Sequence, residues 1–431
     1  MICVELLHID LNRLLLLAVG LWPYQQSKLV QLQLILLFSI LTTFILSQLT
    51  SIVTSEYTSE LLINVSSTTL FYITFVIKYS SFRVNIETMR HLLELLQRIY
   101  NELRDENEIN IMRKYGQLSK RYTAAIMIIA TCTTTSIIAY LFCPLILDIM
   151  RPLNETRPQP SLEFEYFVNQ KKYFYLILLH AITAFIVGGL AMISTGAILI
   201  AFLQHACGMF RISSYRIEHA MAIGTVQSGN VGNNNRMYKG LIYAIDIHRK
   251  AMQFSDMSIS KFKVSFFLLI IAGVICGSLN LFRIFQTMTA VHSNVGMLLI
   301  PLAFIVIHLM YMIIGNYVAQ EIMDHNNHVF ATIYDVRWYV APLNIQKMIL
   351  FLLQRSTKVF TLNIGGVIVG SLENAATVRK IVLKIFSASS DGLIETRNAC
   401  RRRWSAPRYL TSPFFTLRGT NARSSTKWDE R

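Results

Sequence analysis

Charge is scarce in this sequence: Asp, Glu, Lys and Arg make up 15% of its 431 residues, against 53% hydrophobic residues. A soluble fold of this length interrupts its apolar helices with charge every turn or two. The scarcity therefore excludes an ordinary water-soluble core and makes lipid the main solvent. Paired cysteines are also missing. Cys3, Cys132, Cys143, Cys207, Cys276 and Cys400 show no Cys-x-x-Cys spacing, which excludes a disulfide framework or zinc site and predicts reduced, mostly buried thiols. No glycine-rich phosphate loop, nucleophile elbow or metalloprotease His-Glu pair occurs, so no catalytic residue and no cofactor is expected and the chain reads as a non-enzyme. The absence of an internal repeat weighs against inverted-repeat transporters. The net charge of +15 comes without a basic, aromatic-interleaved patch, which removes nucleic acid as an expected partner. The first 28 residues lack a basic head, and the apolar run Leu14 to Leu21 leads into Trp22-Pro23-Tyr24 rather than small residues, unlike a cleaved signal peptide.

What the chain does have is long apolar runs. Six stretches, Val30 to Leu49, Leu61 to Tyr79, Ala124 to Ile146, Phe174 to Leu203, Val264 to Phe285 and Val295 to Val318, are long enough to cross a bilayer core of ~30 Å as helices. A seventh, Leu362 to Val378, is shorter, rich in glycine and carries Glu373. Ile345 to Phe360 has helical spacing but includes Lys347, Arg355 and Lys358, and is expected to lie at the inner interface. The fold class is thus an all-α membrane protein, a bundle of seven transmembrane helices whose last span is marginal by hydropathy and open to being incomplete. Helix-like spacing in Phe82 to Arg121 and His205 to Lys263 predicts helical extensions into the cytoplasm, broken by the polar run Gln227 to Asn235.

Lys and Arg near span ends are retained on the cytoplasmic side. They crowd the segments after spans two, four and six, whereas Ser51 to Glu60 and Gln286 to Asn294 contain none. Arg151 to Lys172 contains four, and Arg283 is discordant, but the alternation places the N-terminus in the cytoplasm of a multi-pass plasma-membrane protein. The two glycosylation sequons, at Asn64 and Asn154, both fall on the expected outer side, with Asn154 the better candidate.

Polar and aromatic residues inside the spans are candidates for a small-molecule site, because hydrocarbon penalises a lone polar group. They are Phe71, Tyr72, Phe75, Thr135, Tyr140, His180, Phe185, Phe304 and His308, although aromatics at helical spacing usually just pack. His325 and His328 are three apart without a third ligand, so no metal site is expected. Gly273-x-x-x-Gly277 and Gly366-x-x-x-Gly370 allow close helix approach, the second with room for a central pathway.

The sequence resembles the insect odorant receptors, in the style of the expanded receptors of ants, bees and wasps. The likeness rests on Leu21-Trp22-Pro23-Tyr24, on Ser214-Tyr215-Arg216-Ile217-Glu218-His219 and on Asp246-Ile247-His248-Arg249-Lys250. It is densest from Asn316-Tyr317 through Gln320-Glu321, Tyr334-Asp335, Arg337-Trp338-Tyr339 and Gln354-Arg355-Ser356 to Gly365-Gly366 and Ser371-Leu372-Glu373. The resemblance implies the ligand-binding subunit of an odorant-gated, non-selective cation channel, a hetero-tetramer with the common odorant co-receptor, with a volatile odorant held in the outer half of the bundle. It also implies that Ile345 to Phe360 anchors the subunits and that Leu362 to Val378, with Gly366, Gly370 and Glu373, starts the pore helix. A gustatory-type receptor channel and, from another class, a G-protein-coupled receptor are the alternatives. The last lacks support from Asp-Arg-Tyr or Asn-Pro-x-x-Tyr motifs and has the opposite orientation.

The likeness ends at Thr377. From Arg379 onward the chain carries twelve Lys and Arg where the family continues as apolar helix. Two domains are therefore expected: 1–377, the membrane domain, and 378–431, an atypical basic tail. The tail is either a non-crossing, disordered isoform end or intron-derived, since Val378-Arg379-Lys380 can be encoded by a splice-donor-like GTAAGA.

Overall fold

In a computed structural model, residues 7–25, 27–55, 58–150, 165–226, 231–289 and 296–356 are described, together with the pairs 363–364 and 368–369 and the single residues 380 and 384. The architecture is all-α. Helix α1 (Asp10–Ala18) is followed by α2 (Lys28–Thr54), α3 (Ser59–Val84), α4 (Ile86–Glu102), α5 (Glu106–Met150), α6 (Gln170–Val226), α7 (Val231–Ser260), α8 (Lys263–Thr289), α9 (Gly296–Asp335) and α10 (Leu343–Ser356). Six of these, α2, α3, α5, α6, α8 and α9, are long and apolar enough to cross a membrane.

Local chemistry sets the helix ends. Ser27 and Thr58 cap α2 and α3, their hydroxyl oxygens accepting from the backbone N–H of Val30 and Leu61 at 3.3 and 3.2 Å. The end of α1 is a left-handed glycine cap: Gly20 has φ +70°, and the N–H groups of Gly20 and Leu21 return to the carbonyls of Leu17 and Leu16. The apolar run Leu14 to Leu21 is thus an amphipathic helix and its cap. It buries Leu15 and Leu16, and Asn12 accepts from Thr123 of α5 at 3.0 Å.

The six expected spans all appear, but α5, α6 and α9 run well past them. Hydropathy ends where Lys, Arg, Glu and Gln begin, yet these are good helix formers, so the backbone ladder continues unbroken. The break expected over Gln227 to Asn235 is shorter than that, because α7 already begins at Val231. Residues 227–230 lie outside the described set, as do Asn154, Gly366, Gly370 and Glu373. In the expected seventh span the described residues are not helical: Asn363–Ile364 (β1) pairs antiparallel with Ile368–Val369 (β2). The β-branched residues around Gly365-Gly366 suit an extended pair better than helix. Of the basic tail, Lys380 and Lys384 are described, both helical and exposed.

Helix α6 is the axis, packing on α1, α2, α3, α5, α7 and α9, while α3 also packs on α8 and α8 on α9. Two cores result. The larger joins α1, α4, α7 and the adjoining ends of α5, α6 and α9. The smaller is aromatic and sits within the bundle, around Phe44, Phe71, Tyr72, Phe75 and Phe304.

Candidate ligand-binding cavity

A cavity of about 480 Å³ lies between α3, α5, α6, α8 and α9. Missing side chains help to open it. Gly189 and Gly196 are seven apart, hence on one face of α6, and Gly315 faces them from α9; all three line the cavity, and a methyl group at any of them would meet nothing within 4 Å. One residue away the packing is the reverse: a Cβ on Gly188 would fall 2.0 Å from Cδ2 of Phe75, so this glycine seats the Phe75 ring in the wall.

The lining is less polar than its composition suggests. On the α5 wall, the hydroxyls of Thr131, Thr133 and Thr135 each donate to the carbonyl four residues earlier, at 2.8, 2.8 and 2.9 Å. Satisfied on their own helix, they offer little hydrogen-bonding capacity to a guest. Two lining residues differ. Lys78 of α3 is 1% exposed, and its Nζ donates to the phenol oxygen of Tyr311 of α9 at 2.9 Å. The ammonium also lies over the rings of Phe266, Phe82 and Tyr311, at 4.5, 5.3 and 5.6 Å from their centroids. Lys78 is the one charged side chain lining the cavity among the described residues.

Of the residues expected from sequence, Phe71, Phe75, Thr135 and Phe185 line the cavity. Phe304 and His308 stand behind them. Phe71 stacks on Phe304 at 4.0 Å with 7° between planes, and His308 meets Phe71 edge-on at 5.4 Å while its Nδ1 bonds the Phe304 carbonyl. Tyr72 packs against Phe44, away from the cavity. His180 is an anchor between segments, with Tyr166 Oη 2.7 Å from Nδ1 and Thr43 Oγ1 3.3 Å from Nε2. Tyr140 is half-buried on α5 and is not in the cavity wall, and Asn64 is half-buried within α3. His325 and His328 are engaged separately. His325 bonds Tyr115 and the Glu321 carbonyl, while His328 faces Arg211, Ser214 and Thr332.

Sequence reasoning missed Lys78, Tyr311 and the glycine face of α6. Lys78 carried a usable signal, a cation six residues before the end of a 26-residue apolar helix. The cavity also extends toward the α4 and α7 end, past Phe266 to Asn316 and Ala319.

The sequence matches the model of the family described as 7tm Odorant receptor over residues 58–382. No curated protein matches it significantly. Among solved structures, it is similar to the insect olfactory receptor OR5 from Machilis hrabei in complex with eugenol. The TM-score is 0.71 at 14% identity, over 88% of this chain and 96% of that one. A second structure of the same receptor gives 0.67 at 14% identity, with the same coverage. At that identity the likeness speaks for the fold.

Proposed function

We propose, from the premise that this chain belongs to the 7tm Odorant receptor family, that it is an odorant receptor whose ligand occupies the cavity between α3, α5, α6, α8 and α9. The observation that carries this reading is the cavity itself. Its volume of about 480 Å³ suits one small organic molecule, and its wall is apolar with few convergent polar groups. The Machilis receptor was solved with eugenol, a small aromatic molecule, and we take volatile compounds of similar size as the ligand class here.

In its fuller form the proposal makes this chain the ligand-binding subunit of an odorant-gated, non-selective cation channel, a hetero-tetramer with the odorant co-receptor in the plasma membrane. A ligand that binds the open state more tightly shifts the population toward it. Support for subunit contact comes from α10, which turns Ile345, Ile349 and Leu352 into the body of the chain and leaves Leu343, Leu350 and Phe351 exposed on other faces. The loop charges support a cytoplasmic N-terminus. The pore assignment of Gly366, Gly370 and Glu373 belongs to the same reading.

Cells expressing the chain with the co-receptor should pass cation current in response to at least one member of a volatile panel. Gly189→Phe, which fills the cavity, should reach the surface and lose that response. An undiminished response in this variant would overturn the cavity assignment. Labelling of an N-terminal tag from outside intact cells would overturn the orientation, and surface delivery and current without the co-receptor would favour a gustatory-type channel.

A further inference from the structure

The cavity wall carries a buried lysine with no carboxylate beside it among the described residues. Lys78 is 1% exposed, on a membrane-spanning helix, where an ammonium is expensive. Among the described residues, its three N–H donors have one hydrogen-bonded partner, the Tyr311 hydroxyl at 2.9 Å, and three aromatic faces. No carboxylate lies within 4.0 Å of it among the described residues. The ring faces soften the burial of a positive charge but neutralise none of it. The adjoining wall is apolar and opened by Gly189, Gly196 and Gly315.

We propose that Lys78, with Tyr311, is the specificity-determining pair of this cavity and selects small carboxylic acids with a short apolar tail, bound as the carboxylate. This role for Lys78 rests on the cavity being the ligand site. A carboxylate supplies the missing countercharge and accepts the free N–H groups of Lys78, while the tail fills the apolar space. Tyr311 then serves twice, accepting from Lys78 and offering its own O–H to the second carboxylate oxygen. A neutral ester of the same size fits the same space but leaves the ammonium uncompensated. Charge-assisted hydrogen bonds in a water-poor site separate the two by roughly ten- to a hundred-fold in affinity.

The test is ligand binding to the full-length chain in lipid nanodiscs, with octanoate, methyl octanoate and oleate as probes. Octanoate should bind at least ten-fold more tightly than methyl octanoate, by the same reasoning. Lys78→Met removes a buried charge without removing bulk, and should equalise acid and ester. Lys78→Gln should do the same, and Tyr311→Phe should narrow the preference. Equal binding of acid and ester by the wild type, or a preference that survives Lys78→Met, overturns the proposal. If acid and ester bind equally and Gly189→Phe abolishes both, the cavity reading stands and the role of Lys78 falls. Binding unaffected by Gly189→Phe, or absent for every probe, removes both. Tighter binding of oleate than of octanoate would reassign the site to a membrane fatty acid and overturn the small-acid assignment.

Discussion

The end of the molecule built on α4 and α7 and the apolar bundle that holds the cavity are made by one chain, and α6 runs through both, yet they are packed by different rules. Around α4 and α7 the apolar faces close completely. Leu92, Leu93, Leu96, Phe210 and Phe254 are fully buried, while Arg90, Arg98 and Arg249 stay on the surface. Polar groups that enter this core arrive in pairs: Arg216 grips Glu108 with two hydrogen bonds of 2.6 and 2.8 Å, and His248 bonds Asn326 at 3.0 Å. In the bundle the opposite holds. No residue in the most apolar stretch of α5 is buried, the aromatic core is small, and a cavity remains beside it.

The solvent explains the contrast. Where water surrounds the helices, every uncovered apolar face is penalised and the core closes. Where lipid does, hydrocarbon outside is as apolar as a neighbouring helix, and association depends on close packing and a few hydrogen bonds. An apolar cavity therefore costs less in the bundle than it would beside α7, and a receptor site can be left open there.

The largest test of this contrast is Arg216→Ala. It strands Glu108, which is 6% exposed, and should cost on the order of 3 kcal/mol, seen as a sharp fall in Tm in detergent and in surface delivery. A near-neutral result would show that the α4 and α7 end is as loosely packed as the bundle. Next comes Gly188→Ala, where the new methyl must displace the Phe75 ring. Overpacking of this kind costs about 1–3 kcal/mol, and the same measurement should place it below Arg216→Ala. Its neighbour Gly189→Phe should change Tm little while ligand binding disappears. A large destabilisation there would mean that the space is already filled. The smallest effect belongs to Lys250 of α7, which holds Glu102 at 2.6 Å and Asp246 at 2.9 Å. Burial acts to lower its pKa, but the hydrogen bonds to both carboxylates outweigh this and hold it above the ordinary 10.5. A raised folded pKa gives stability that is whole below the unfolded value and is lost as pH rises through the folded one. Lys250→Met should therefore cost less than about 1 kcal/mol at pH 8, and its Tm gap to wild type should close as the pH passes above 10.5.

Much of the helical plan was legible because it depends on local chemistry. A run of twenty apolar residues specifies a spanning helix whatever its neighbours, and the helix-like spacing within Phe82 to Arg121 announced α4. The site was legible only in part. Phe71, Phe75, Thr135 and Phe185 could be proposed as polar or aromatic residues inside spans, but the same rule proposed His180, which joins Thr43 and Tyr166 instead, and passed over Lys78. Residue type marks a group as costly in lipid without saying which partner relieves the cost.

By itself the sequence determined the six long apolar helices and where charge forbids a span, since hydropathy acts within a few residues, while the expected seventh span has no helix among its described residues. Only the tertiary structure decided that Lys78 meets Tyr311, 233 residues away, and that the glycines of α6 and α9 face a common space. A helix fixes the direction of each side chain about its own axis, but which faces oppose one another is set by the packing of all six helices together.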